Sequence, residues 1–307
     1  MNECLNEGEE RMGLELKNVS KSFAGKLVVD NISLAISKPG VYGLLGTNGA
    51  GKTTTIRMLL GILKKDSGDI TWNDKAVERK NVNFGYLPEE RGVYPKTKII
   101  DQLVYFAMLK GMKKEEAIEA IKKWAEVLKV EEYLEMQAEK LSKGNQQKIQ
   151  FMTAIIHNPE LIVLDEPFSG LDPVNTEILK NIILDLVEQG KYIIMSSHQM
   201  ASIEEFCTDI LILNKGKTVI QGNLKEIKDK YPVNRLELSV NENIEKYIKD
   251  MNFIIENETN YYYTIKIEDE KKPRELLNNL IQNGIQVNKF EIKKPTLNDI
   301  FIEKVGE

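Results

Sequence analysis

A glycine-rich stretch followed by lysine and threonine is the part of the chain best suited to chemistry. It reads GTNGAGKT, matches the pattern GxxxxGK[S/T], and lies between an apolar run, GVYGLLG, and a helical stretch, TTTIRMLLGIL. Between a strand and a helix, such a loop binds phosphate groups through its backbone N–H groups and the positive end of the helix. The alternative interpretation is an ordinary glycine-rich turn. Lys52 would neutralise the β and γ phosphates, and the Thr53 hydroxyl would bind Mg²⁺. The predicted nucleotide-binding residues of this loop are Gly46, Thr47, Asn48, Gly49, Ala50, Gly51, Lys52, Thr53 and Thr54.

Two adjacent carboxylates follow an apolar run further along the chain. The run is LIVLDE, from Leu161 to Glu166, and an open α/β sheet presents its ligand groups where such strands end. Asp165 would hold Mg²⁺, and Glu166 would be the general base that polarises the attacking water. Because neighbouring strand residues point to opposite faces, the two roles require the strand to end here.

The elements that position these residues can be predicted from apolar spacing. LELKNVSKSF and KLVVDNISLAI alternate, which indicates two antiparallel strands that turn near Ala24 and Gly25. LIVLDEP and YIIMSSH are typical of buried parallel strands joined by a helical crossover, and ILILNKGKTVIQG indicates a hairpin turning at Lys215 and Gly216. Residues 95–140 have helical spacing and suggest an inserted helical subdomain of about 90–145. The predicted fold class is α/β, a P-loop nucleotide-binding core.

The last quarter of the chain differs in composition, since Asn, Lys, Glu and Ile become frequent beyond Gly222. We predict a disordered extension at 1–11, with Met12 as an alternative start, a nucleotide-binding domain at 12–228 and an accessory domain at 232–307. The order strand, helix, strand, strand, helix, strand, helix from residue 235 onwards indicates a small α+β, ferredoxin-like domain. Tyr261, Tyr262 and Tyr263 could form a binding platform, but simple alternation of strand residues between core and surface is favoured.

Residues 12 to about 225 resemble the cassette of ABC ATPases, with a mixed sheet core, an antiparallel β subdomain and a helical subdomain. The family's signature, LSGGQ, corresponds to LSKGN at 141–145. The resemblance implies that the signature of one subunit contacts the γ phosphate of ATP held by the other, in a head-to-tail dimer. Taken alone, Ser142 is also an ordinary helix N-cap. The implied signature residues are Ser142, Lys143, Gly144 and Asn145.

Further site residues are carried over from the resemblance. His198, in SSHQM, corresponds to the switch histidine that contacts the γ phosphate, and Asp172, in SGLDP, to a residue that contacts the opposite subunit. Phe23 corresponds to the aromatic residue that stacks on adenine, with core packing as its alternative. His157 lies outside every motif and is predicted to be structural.

Three positions depart from the family pattern. Lys143 replaces the first signature glycine and Asn145 the glutamine, which could change ATP-driven closure. Glu89, in YLPEERGVY, stands where the family usually has glutamine. Its carboxylate could still reach Mg²⁺ or the attacking water, with its negative charge compensated by Mg²⁺ or Arg91.

The tail KKPTLNDIFIEKVGE resembles the accessory domain of ABC-2-type bacterial export ATPases, and YLPEERGVYP and LSKGNQQK resemble the sodium-extruding subset. The resemblance implies an ATP-hydrolysing motor that works with a second copy of itself or a homologous cassette and with separate membrane permease subunits. Sodium ion is a candidate cargo. The alternative is a soluble ABC-type ATPase that gates the ribosome or DNA. However, ribosomal relatives usually carry two cassettes, and repair relatives a long coiled coil. A non-hydrolysing cassette is disfavoured because Lys52, Asp165, Glu166 and His198 are all present.

Composition and charge limit the partners and the cellular location that we expect for this protein. The net charge of −5 gives no basic footprint for nucleic acid, and Cys4 and Cys207 form neither a disulfide framework nor a zinc-site spacing. No apolar run approaches the about 20 residues that span a bilayer. We therefore expect a cytoplasmic protein, peripheral on the inner face of the membrane, whose membrane contact is made through the permease alone.

Overall fold

The computed structural model describes residues 13–77, 82–90 and 92–306 of the 307 in the chain. The predicted extension 1–11, the alternative start Met12 and the compensating Arg91 lie outside these ranges. The chain divides into two units between Gln221 and Gly222. This division comes earlier than the predicted 228–232, because the helix Leu224–Asp229 belongs to the second unit, where Lys294 Nζ lies 2.6 Å from Asp229 Oδ1.

The first unit is built on a six-stranded sheet in the order β10-β9-β3-β8-β7-β6. The pairs β3–β8, β3–β9, β6–β7 and β7–β8 are parallel, so the carboxyl ends of these strands meet at one edge. Residues of β3 and β7 are buried throughout, as expected of parallel strands covered on both faces. The strands are β3 (Gly40–Gly46), β6 (Phe84–Leu87), β7 (Leu161–Asp165), β8 (Tyr192–Ser197), β9 (Asp209–Asn214) and β10 (Lys217–Asn223).

A second, antiparallel sheet of the first unit has the order β2-β1-β4-β5. The first of the two predicted hairpins is present in this sheet, and it turns through Ala24 and Gly25, whose φ values are 47° and 80°. Two consecutive positive φ values match the twist of the flanking strands. The strands are β1 (Leu14–Phe23), β2 (Lys26–Ile36), β4 (Ser67–Trp72) and β5 (Lys75–Ala76).

Helices complete the first unit. The predicted helical region contains α2 and α3 and the start of α4, which continues to Ile155, beyond the expected end near residue 145. The crossover between β7 and β8 is α5, which begins with Pro173 after its N-cap Asp172. The helices are α1 (Lys52–Leu59), α2 (Ile99–Leu109), α3 (Lys114–Leu128), α4 (Lys143–Ile155), α5 (Pro173–Glu188) and α6 (Met200–Glu204).

The second unit is a four-stranded sheet in the order β12-β13-β11-β14, and its neighbouring strands are antiparallel. This arrangement confirms the ferredoxin-like prediction. Within β13, Tyr263 is fully buried and its neighbour Tyr262 only partly buried, as strand alternation predicts, whereas Tyr261 is exposed in the turn before the strand. The elements are α7 (Leu224–Asp229), β11 (Arg235–Val240), α8 (Glu245–Asp250), β12 (Ile254–Thr259), β13 (Tyr262–Lys266), α9 (Lys271–Gln282), β14 (Val287–Lys293) and α10 (Leu297–Gly306).

None of the helices within the described ranges has the length and apolar character needed to cross a membrane.

Candidate functional site

The glycine-rich loop joins the end of β3 to the start of α1, and two of its glycines are required by geometry. Gly46 has a φ of 145° and Gly51 a φ of 103°. A Cβ on Gly46 would lie 2.3 Å from the carbonyl oxygen of Leu213, and one on Gly51 2.9 Å from that of Val28. Any side chain at either position would collide with neighbouring backbone, in a conformation that L-residues disfavour.

Lys52 is the first residue of α1 and is only 8% exposed. Its Nζ donates to the carbonyl oxygens of Gly46, at 2.8 Å, and Thr47, at 3.4 Å, so the ammonium is held inside the loop. No side chain among the described residues caps α1 at Gly51. The first N–H groups of the helix are therefore directed at whatever anion the loop receives.

Asp165 is the last residue of β7 and is 1% exposed. The Ser196 hydroxyl donates to its Oδ1, whereas its Oδ2 has no hydrogen-bond partner in the described part of the chain. Burial raises the pKa of Asp165 above its ordinary value, and the hydrogen bonds from Ser196 and Thr53 oppose this rise. A buried carboxylate oxygen without a donor, beside a threonine hydroxyl, suits a divalent cation.

Glu166 follows with a φ of 52°, so the strand ends between the two carboxylates, as their separate roles require. Its Oε1 accepts from the backbone N–H of His198 at 2.8 Å and lies 2.7 Å from Nδ1 of the same residue. The Ser197 hydroxyl donates to Oε2 at 3.4 Å. The end of β8 therefore holds Glu166 in one orientation.

The glycine-rich loop, Asp165 and Glu166 meet in a cavity of about 280 Å³. Glu89 reaches it from the loop after β6, and most of the glycine-rich loop lines it. Val28 also lines the cavity and was not predicted, because nothing distinguishes it within the alternation of β2. Ser196 was not predicted either, although a hydroxyl pair directly before His198 was a usable signal. The lining residues are Val28, Asn48, Gly49, Ala50, Gly51, Lys52, Thr53, Thr54, Glu89, Asp165 and Glu166.

Other predicted residues lie outside this cavity. Phe23 ends β1 and is 46% exposed, so the alternative of core packing is wrong, and Lys21 Nζ lies 5.5 Å from its ring centroid. Ser142 caps α4 by accepting from the N–H of Asn145 at 3.2 Å. Asp172 caps α5 by accepting from the N–H of Asn175 at 2.9 Å, and these hydrogen bonds lower the pKa of Asp172. The signature residues Ser142, Lys143, Gly144 and Asn145 are absent from the cavity lining.

His157 is buried, and its Nε2 lies 3.1 Å from the carbonyl oxygen of Phe84. Burial lowers its pKa to about 4, so the side chain is neutral near pH 7. This environment agrees with the structural role predicted for it.

Two kinds of ligand fit this arrangement. The loop, its lysine and the start of α1 form a cradle for a triphosphate. The three residues predicted to bind Mg²⁺, Thr53, Asp165 and Glu89, all line the cavity and carry side-chain oxygen atoms. The described residues contain no group of three or more His, Cys, Asp or Glu side chains that could hold a metal by themselves. Mg²⁺ commonly binds to only one or two protein carboxylates, and substrate phosphates and water supply its remaining ligands.

Comparisons with known proteins agree with this fold and site. Residues 29–169 match the family model described as ABC transporter, and residues 222–305 match that of the DrrA1-3-like ATP-binding protein C-terminal domain. The uncharacterised ABC transporter ATP-binding protein YhaQ of Bacillus subtilis is 45% identical, over 95% of this chain and 98% of its own length. The lipopolysaccharide export system ATP-binding protein LptB of Escherichia coli is 30% identical, over 73% of this chain and 96% of its own length.

A solved structure of an ATP-binding subunit of an ABC transporter superposes with a TM-score of 0.66 and 28% identity, covering 71% of this chain and 92% of that chain. The fold and the cavity therefore define an ABC-type ATPase. Since the YhaQ relative is 45% identical over almost the whole chain, this chain belongs to the ABC transporter ATP-binding proteins. ATP is the nucleotide that this family binds and hydrolyses.

Proposed function

We propose that this chain is the ATP-hydrolysing motor of an ABC exporter and drives substrate efflux through a separate membrane permease. The cavity carries the proposal: a phosphate-binding loop and two buried carboxylates line it, His198 contacts one of those carboxylates from outside the lining, and the signature residues are also absent from the lining. One copy of the chain therefore holds one half of a nucleotide site and offers the other half to a neighbour.

The roles of the residues follow from their positions. The glycine-rich loop and Lys52 bind the phosphates, Phe23 stacks on the adenine, and Thr53, Asp165 and Glu89 would hold Mg²⁺. When bound, Mg²⁺ neutralises the charge that develops on the transferred phosphoryl group. Glu166 orients the attacking water and accepts its proton, and His198 fixes the position of that carboxylate.

The second copy, or a homologous cassette, supplies the remaining contacts. Ser142 and its neighbours at the start of α4 present a hydroxyl and N–H groups that suit a γ phosphate. Asp172 would contact the opposite copy. Closure around ATP and reopening after hydrolysis would then move the permease, through the helical region and the loop of Glu89.

Export is supported by the similarity to LptB, the ATP-binding protein of a lipopolysaccharide export system. It is also supported by the resemblance of the tail KKPTLNDIFIEKVGE to the accessory domain of ABC-2-type export ATPases. Sodium ion remains the candidate cargo suggested by YLPEERGVYP and LSKGNQQK. In this proposal the protein lies on the cytoplasmic face of the membrane and reaches it through the permease.

Isolation of a tagged Glu166→Gln chain from membranes of its own host, with ATP and Mg²⁺ present, tests the proposal. We expect an integral membrane protein to co-purify and, in liposomes, to raise the ATPase rate of the wild-type chain several-fold. Co-purification with ribosomes or DNA, and no stimulation by the membrane protein, would favour the alternative of an ABC-type ATPase that gates such a partner.

A further inference from the structure

Two buried glutamines on α4 lie close to both carboxylate-bearing loops of the nucleotide site. Gln147 is 4% exposed and Gln150 is 5% exposed. Being three residues apart, they lie on the same side of the helix. Gln147 belongs to the run QQK that follows the signature, Gln150 lies three residues beyond it, and neither side chain was assigned a role from the sequence.

Gln150 spans the loop that carries Glu89. Its Nε2 donates to the carbonyl oxygen of Pro88 at 3.2 Å and to that of Glu90 at 2.9 Å. Both partners are acceptors, so the amide must present its NH₂ end to them. The residue between these two anchored carbonyls is Glu89, which lines the nucleotide cavity.

Gln147 makes the corresponding contact with the other loop. Its Nε2 donates at 3.0 Å to the carbonyl oxygen of Pro167, which directly follows Glu166. One helix therefore begins at the signature and, within its first two turns, ties the backbone beside both Glu89 and Glu166.

We propose that Gln150 is a positioning residue for Glu89: it fixes the Pro88–Glu90 backbone to the helix that starts with the signature. This inference rests on the proposed function of Glu89 in the nucleotide site. The tether makes the position of the Glu89 carboxylate depend on the position of α4, so movement of the signature helix toward a partner's nucleotide is passed to the chain's own site. Because buried hydrogen bonds to two carbonyls are costly to leave unmade, the loop follows the helix rather than detaching from it.

A double-mutant cycle on the ATPase rate tests this role. Gln150→Met keeps the length of the side chain and removes both donors. We expect kcat to fall about tenfold, because small misplacements of a catalytic group are costly, while the Kd for a non-hydrolysable ATP analogue stays within about twofold, since the glycine-rich loop is untouched. In a Glu89→Ala background the same substitution should cost less than about twofold, because a residue that acts through Glu89 has nothing left to position.

Thr153→Val is the matched control. Thr153 lies on the same helix, and its hydroxyl donates to the carbonyl oxygen of Ile149 at 3.1 Å, within the helix itself. Its replacement should leave kcat within about twofold of the wild type.

Hydrogen–deuterium exchange gives a readout that does not depend on hydrolysis. Peptides covering Glu89 and Glu90 should exchange faster in Gln150→Met than in the wild type or in Thr153→Val. A second variant, Gln150→Glu, covers the case in which the methionine variant fails to fold. Its carboxylate would face two carbonyl oxygens, so the kcat loss should ease as pH falls and the protonated acid regains a donor.

The proposal is overturned if Gln150→Met leaves exchange at Glu89 and Glu90 unchanged, or if its kcat loss is equally large in the wild-type and Glu89→Ala backgrounds. Absence of ATP hydrolysis by the wild-type chain would count against the proposed function instead, and the exchange comparison would still decide the tether.

Discussion

The glycine-rich half of the nucleotide site and the signature half are built differently. Lys52, Asp165 and Glu166 are each less than 9% exposed and are held by short hydrogen bonds to the backbone or to the end of β8. Ser142 and Asp172 are exposed helix caps whose contacts stay within their own first turns. The glycine-rich half is pre-organised within one chain. The signature half consists of surface groups that are available to the nucleotide of a second copy.

The largest expected effect falls on the pre-organised half. Glu166→Gln keeps the size of the side chain and removes the general base, so kcat should fall about 10²- to 10³-fold while ATP binding is retained. Steady-state ATPase assays and equilibrium binding of labelled ATP measure the two quantities. Glu177→Gln, which neutralises an exposed carboxylate on α5, is the control. If kcat fell equally in both variants, the assignment of the general base to the buried Glu166 would be contradicted.

Lys52→Ala should have the opposite pattern. Loss of a buried ammonium that contacts phosphates should weaken ATP binding about 10- to 100-fold, as expected for hydrogen bonds to charged groups. Lys64→Ala, at an exposed lysine beyond α1, should bind ATP as the wild type does. If Lys52→Ala and Glu166→Gln behaved alike in binding and turnover, the assignment of separate roles would be wrong.

A mixing experiment tests whether the signature half acts on the nucleotide site of the other copy. Ser142→Ala should lower the ATPase rate about tenfold, since it removes a polar contact made across the dimer. Mixing Ser142→Ala chains with inactive Lys52→Ala chains should restore part of the activity, because one of the two composite sites then has an intact loop and an intact signature. Additive, unrestored activity would mean that Ser142 acts within its own chain, as a simple N-cap.

The smallest expected effect is that of His157→Gln, which changes the stability of the fold and not the nucleotide site. His157 follows α4, the helix that begins at the signature, and burial lowers its pKa from 6.5 to about 4. Because the unfolded chain takes up the proton first, this residue stabilises the fold above pH 6.5, and the contribution is lost as pH falls toward 4. His157→Gln should flatten this decline by about 1 to 2 kcal/mol of unfolding free energy, measured by urea denaturation at each pH. An unchanged pH slope would show that His157 titrates equally in both states.

Much of the pre-organised half could be predicted from the sequence, because its residues are adjacent in the chain. GTNGAGKT between a strand and a helix specifies the loop, and the demand that a strand end between Asp165 and Glu166 is met by the positive φ of Glu166. The sequence offered a signal for Ser196 as a residue, but not for which residue it or the two glutamines would contact. Ser196, Gln147 and Gln150 act across 20 to more than 60 positions, and no local periodicity encodes such pairs.

The fold shows the same division. The hairpin at Ala24 and Gly25 and the order of the C-terminal elements follow from turn residues and alternation. The domain boundary was predicted at 228–232 rather than near residue 222, because α7 resembles a charged helix that ends the first domain. In the structure α7 belongs to the second unit, where its Asp229 forms an ion pair with Lys294.

The most direct test of a site shared between two copies is size-exclusion chromatography with light scattering on the Glu166→Gln chain, with and without ATP and Mg²⁺. We expect a monomer without nucleotide and a dimer with it, because ATP bridges the loop of one copy and the signature of the other and is not hydrolysed. A mass that stays monomeric at saturating ATP and Mg²⁺ would contradict the shared site in the isolated protein.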